Sequence, residues 1–227
     1  AGAKPDEAIL ENCKADMLKS RADAKLNQSR CFGALQRYLF YGGDFIRRTT
    51  LTDPALQALT SEQLLAKIGG LMGKQHEVLY YGPQKEAEVK SALAEHHKVA
   101  ADLQPLEKKF STLLPTDANK VVLAQYDAKQ LYYLQFSNRG EKFDVAADPE
   151  ITLYNEYFGG GMNTIVFQEM REARGLAYTA WATLATPSNA NGDYSYYAFI
   201  ATQNDKMQKA VEAFDDIINN MPESEKA

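Results

Sequence analysis

The chain has 227 residues, 45% of them hydrophobic and 24% charged, with a formal net charge of -5. That composition can bury a core over one or two domains and argues against a disordered chain. The acidic balance, with Lys and Arg scattered, argues against nonspecific binding to nucleic acid or anionic lipid, and no apolar stretch approaches the length of a membrane span.

The first residues, "AGAKPDEAILENCKADM", lack the basic, apolar and small-residue order of a signal peptide. From residue 8 to about 28, Ile9, Cys13 and Met17, with Leu10 and Leu18 beside them, recur at the spacing of one helical stripe. A second helix is predicted from Cys31 to Tyr41, stopped by Gly42 and Gly43. Asp53 before Pro54 reads as an N-cap, and Thr60 with Gln63 as a capping box, so two further helix starts follow. "HEVLYYG", ended by Gly82 and Pro83, reads as a buried strand, and "QKEAEVKSALAEHHK" as a charged helix. The stretch after it, with Pro105 and Pro115 and no steady period, is the linker expected between two parts.

The second part opens with sheet. "KVVLAQYDAKQLYYLQFSNRG" gives two β-rich runs around "DAKQ", a predicted hairpin. Asp148 and Pro149 then cap a helix carrying Ile151, Tyr154, Tyr157 and Phe158; glycines 159 to 161 interrupt, and another helix runs through "NTIVFQEMREAR" to Gly175. "AYTAWATLA" and "DYSYYAFIAT" are strands, and Met207, Val211, Phe214 and Ile218 mark one face of a last helix. The predicted class is α+β, a mostly antiparallel sheet packed against helices. The predicted division is a mostly helical part over 1–100, a linker over 101–116 and a second part over 117–227.

Cys13 and Cys31 are too few for a disulfide scaffold, and they lack a second ligand pair for a zinc knuckle. "GGGMNT" lacks the Gly-Lys-Ser/Thr ending of a phosphate loop and follows a helix, so it reads as a hinge. The tyrosines of "DYSYYAF" read as sheet core rather than as a platform for bases, and adjacent Asp215 and Asp216 suggest no acid/base dyad.

"FQEMREARGLAYTA" (167–180) holds the residues with most to explain. Neither Arg171 nor Arg174 has an acidic neighbour three or four positions away, so an α-helix offers neither a favourable pair. Two readings stand side by side. In the structural one, cations in a last helical turn favour the carbonyl end of the dipole, worth roughly 0.3–1 kcal/mol, with Gly175 as the left-handed cap. In the functional one, the chain turns at Gly175 into a strand beginning near Tyr178, so a guanidinium and a phenol converge on one oxygen. A phenol donates while neutral and arginine adds fixed charge, which suits a developing oxyanion. Neither is a general base.

"LYNEYFGGGMNTIVFQEMREARGLAYTA" resembles the pitrilysin or insulinase family of zinc metallopeptidases, the inverzincins. The match rests on the glycine run after an aromatic helix end, the "FQEMRE" helix and "RGLAY" leading into a strand, and it extends more loosely from Asp117 to Met221. The helices before it, and "HEVLYYG", resemble the rear half of such a domain. The resemblance implies a pitrilysin-like fold and a carboxyl-terminal domain that lends an arginine and a tyrosine to a zinc site held by another domain. The matching positions are Arg171 and Tyr178: the tyrosine would donate to the scissile carbonyl oxygen, and the arginine would orient the substrate backbone or the tyrosine.

The family's zinc signature H-x-x-E-H is absent. His96 and His97 are adjacent, about 100° apart on a helix, and His76 is predicted at a strand edge, so no metal ligand and no cofactor are expected in this chain. Zinc is expected in another domain of the parent chain or in a partner subunit, with a peptide or protein as substrate. The order of the halves is the reverse of the family's, which implies a piece of a longer protein. Two arrangements then follow: the parts pack as one permuted domain, or they exchange between two chains as a homodimer, with residues 76–81 meeting the later strands. A noncatalytic scaffold or protein-interaction module of the same architecture is the rival reading.

Overall fold

The computed structural model describes residues 4–106 and 112–223. Two compact units divide the chain, and neither is continuous in sequence: residues 1–24 with 47–110, and residues 25–46 with 111–227. Residues 25–46, early in the sequence, belong with the second unit.

The first unit holds most of α1 (Glu7–Lys25), then α3 (Asp53–Gln57), α4 (Ser61–Leu71) and α5 (Glu86–His96). Its polar clasps do more than the predicted apolar stripe. Ile9 and Met17 are exposed, whereas Lys14 is 6% exposed, its Nζ donating to Glu11 Oε1 (2.7 Å) and to the Gln57 carbonyl (3.0 Å). Those two acceptors are what let an ammonium sit there, since an unpaired buried charge is costly. The Glu7 carboxylate reaches the start of α4 and accepts from the Ser61 backbone N–H (3.0 Å) and hydroxyl. Thr52, not Asp53, caps α3 by accepting from Ala55 N–H (3.3 Å), while Thr60 and Gln63 form the predicted capping box.

"HEVLYYG" is not a strand. Leu79 and Tyr81 are almost wholly exposed, and the nearby ladder is a lone parallel bridge from Lys74 to Gln104. β-propensity reflects fit to a pleated, half-buried surface, and without a neighbouring strand it fixes nothing.

The second unit is built on an antiparallel sheet in the order β1-β3-β2, with β1 Gln130–Ser137, β2 Thr179–Ala185 and β3 Ser195–Gln203. The hairpin predicted before β1 is absent, because residues 120–126 pair with nothing in the sheet and leave Val121 and Leu123 exposed. Register sets the two faces. Tyr133, Ile200 and Ala180 stand in one row, and Ala198 with Ala182 in the next. This face packs on α6 (Asp148–Phe158), α7 (Ile165–Phe167) and α8 (Met207–Asn219), burying Phe158, Ile165, Val166, Met170, Phe214 and Ile217. The opposite face is aromatic: Phe199 stacks on Trp181 (5.6 Å between centroids), and α2 (Gln28–Thr49) lays Phe32 and Phe40 against Tyr132, Phe136, Tyr197 and Phe199. The predicted stop at Gly42 is instead a break inside α2, where Gly42 has φ 76° and helix resumes beyond it. Asp148 lies in the first turn of α6 rather than at its cap, which is Ala147.

Gly159 shows why the glycine run matters. Its carbonyl accepts from Ala182 N–H of edge strand β2 (3.3 Å), and a Cβ there would lie 2.1 Å from the Ala182 carbonyl oxygen. Asn155 brackets Leu184 through both backbone groups (2.8 and 2.9 Å). The end of α6 thus closes an edge that would otherwise offer free N–H and C=O groups. The run is therefore a close-approach point between helix and strand as much as a hinge. Among the described residues no helix is long and apolar enough to cross a membrane.

Candidate functional site

Arg171 and Tyr178 meet at a helix-to-strand corner. Ile165, Val166 and Met170 face the core, which turns Arg171 outward on the same helical segment. The helix then departs from α geometry: Gln168–Ala173 forms a π turn, and Arg174 N–H donates to the Glu169 carbonyl (3.1 Å), five residues back. Such turns are rare and concentrate at functional sites. The Met170 carbonyl accepts from both Leu176 N–H (2.9 Å) and Ala177 N–H (3.2 Å), Gly175 takes φ 58°, and Tyr178 N–H starts the ladder on the Ala201 carbonyl (2.9 Å). Two donors hold the reversal from outside, Thr202 Oγ1 to the Leu176 carbonyl (2.6 Å) and Lys206 Nζ to that of Gly175 (3.2 Å).

The Arg171 guanidinium carbon lies 5.0 Å from the Phe167 ring centroid and 5.5 Å from that of Tyr178. These are cation–π distances, of the kind worth about 0.5–1 kcal/mol at exposed sites. Arg171 Nε also lies 3.5 Å from Glu172 Oε1. Both candidate groups face solvent, with the Arg171 side chain 44% and Tyr178 67% exposed. The corner therefore offers an O–H donor beside a fixed cation, with the Glu172 carboxylate alongside.

Arg174 is bound differently. Its Nε is 3.3 Å from Glu169 Oε2 and an Nη is 3.4 Å from Asp216 Oδ2 of α8. The Asp216 carboxyl is drawn below the usual carboxylate range, first by the Asn220 side-chain amide and then by Arg174. Spacing of three or four residues hid the Glu169 pair, because only the π turn brings positions five apart onto one face. Phe167, by contrast, stands four positions before Arg171, the spacing that brings two side chains together on one helical face.

The histidines lie elsewhere in the chain, in the first unit. His96 is exposed at the end of α5, as predicted. His76 is not at a strand edge, and its Nε2 lies 2.7 Å from that of His97, which caps α5. Among the described residues no group of three or more His, Cys, Asp or Glu side chains is placed to hold a metal.

A search of curated proteins returns no match. Among solved structures the fold is similar to the crystal structure of a peptidase M16 inactive domain from Pseudomonas fluorescens, at TM-score 0.68 and 16% identity. The alignment covers 97% of this chain and 54% of that one, so the chain spans about half the length of that relative. The family model described as "Peptidase M16 inactive domain" matches residues 74–225, which takes in all three strands and the Arg171–Tyr178 corner. The chain therefore belongs to the peptidase M16 inactive-domain family, the carboxyl-terminal domain of the pitrilysin type.

Proposed function

We propose that this domain lends Tyr178 and Arg171 to peptide-bond hydrolysis at a zinc centre carried by another domain of a parent chain or by a partner subunit. The zinc would supply Lewis acidity there. Tyr178 would donate its O–H to the scissile carbonyl oxygen as negative charge develops on it. Arg171 would hold the phenol ring in place from the side and bring positive charge to the substrate backbone. The observation that carries this reading is the ring contact of a solvent-open guanidinium with a solvent-open phenol at the positions that match the family pattern. Two open donors at a corner suit chemistry whose attacking group comes from elsewhere.

The rival, a noncatalytic wall of a peptidase chamber, is favoured by the family description itself. The two separate on one experiment, in which the protein is combined with its zinc-binding counterpart and cleavage of a fluorogenic peptide is followed. Tyr178→Phe is expected to lower kcat by about 10²–10³-fold, as loss of an oxyanion donor does, with KM little changed. Turnover unaffected in folded Tyr178→Phe protein would leave the chamber wall as the function.

A further inference from the structure

We infer that Arg174 is a positioning residue: clamped between Glu169 and Asp216, it holds the π turn that sets Arg171 against Tyr178. The inference rests on the proposal that Arg171 and Tyr178 form the working pair. The argument starts from backbone hydrogen bonds. In a continued α-helix, Arg174 N–H would bond to the Met170 carbonyl, four residues back. Here it bonds to Glu169 instead, and Met170's oxygen is left to accept Leu176 and Ala177. That pair of bonds folds the chain back so that Tyr178 arrives beside Arg171, seven positions earlier. The extra residue in the turn is therefore what makes the reversal and the ring contact geometrically compatible.

A π turn is rare, so something must favour it over the α alternative. The side chains supply that preference. Five residues along an α-helix is about 140° around the axis, which would point Glu169 and Arg174 apart; in the π turn their charged groups are 3.3 Å apart. The second arm of Arg174 ties the end of the turn to Asp216 on α8, and Asn220 fixes that carboxylate by donating to its other oxygen (3.1 Å). Both acceptors are thus specific to the observed register. Among the described residues Arg171, by contrast, has only its sequence neighbour Glu172 as an ion-pair partner, and its guanidinium lies against the two rings. The neighbouring arginines divide the labour: one holds the backbone and the other faces outward.

The test is nuclear magnetic resonance of the full chain with labelled arginine, tyrosine and isoleucine. In the unaltered protein, ring currents from Phe167 and Tyr178 shift the Arg171 Nε–H resonance upfield, and an Overhauser contact joins it to the Tyr178 ring. Arg174→Gln is expected to return that resonance toward its random-coil position and erase the contact. The methyl resonances of Ile200, fully buried on β3 and outside the turn, stay in place and show that the core survives. Lys209→Gln removes an exposed cation of α8 without touching the clamp or Arg171 and is expected to leave the signature intact. If Arg174→Gln fails to fold, Glu169→Gln and Asp216→Asn each break one arm, and each is expected to weaken the contact. Survival of the Arg171–Tyr178 contact at full strength in Arg174→Gln, or in both single-arm variants, overturns the inference. No substrate enters this measurement, so its result is separate from whether Tyr178 assists cleavage.

Discussion

At the scale of single residues, the two arginines and the three consecutive glycines look alike in sequence and do different things. The closeness of Arg171 and Tyr178 follows from the direction in which the chain leaves Gly175. The partners of Arg174 were not readable, since Glu169 sits at an unusual spacing and Asp216 comes from another helix. The glycines make a sharper test. A Cβ on Gly159 would collide with the Ala182 carbonyl oxygen, while at Gly161 it meets nothing within 4 Å. Gly159→Ala is therefore expected to destabilise by about 1–3 kcal/mol, the usual cost of overpacking, and Gly161→Ala to be close to neutral. Thermal unfolding checks this, at roughly 2–4 °C per kcal/mol for a chain of this size.

Among the elements, helices with caps were legible and strands without partners were not. Thr60 and Gln63 form their box through atoms three residues apart, so the sequence carries the whole signal. "HEVLYYG" and "KVVLAQY" have the residues of strands, yet a strand exists only in a ladder, and these runs have none. The clasp from α1 to α4 was equally invisible, because Glu7 and Ser61 are far apart in sequence. Hydrogen bonds from the Ser61 hydroxyl, first, and its backbone N–H lower the Glu7 pKa in the folded protein. A depressed folded pKa means that the contribution is present above the unfolded value and disappears as pH falls through the folded one. Glu7→Gln is thus expected to be less stable than the unaltered chain at neutral pH, with the gap closing as pH falls below the usual carboxylate range. Urea midpoints measured across that range decide it. A gap that stays constant with pH would mean that the carboxylate charge plays no part in the clasp.

On the scale of the molecule, the fold class followed from the alternation of helical and strand periods, but the division of the chain did not. Residues 25–46 carry the helical stretch whose Phe32 and Phe40 lie on the sheet, so a segment early in sequence belongs to the second unit. A linear reading has no signal for that, because it depends on which aromatic face is left uncovered. The chain spans about half of a solved relative, and the proposed chemistry needs a metal from outside it. The direct test of the whole account is a double-mutant cycle on the assembled peptidase, with Tyr178→Phe, Arg171→Gln and both together. If the phenol and guanidinium work as one unit, each single change lowers kcat and the double variant loses little more than the worse single one. Full turnover in both folded single variants would contradict it.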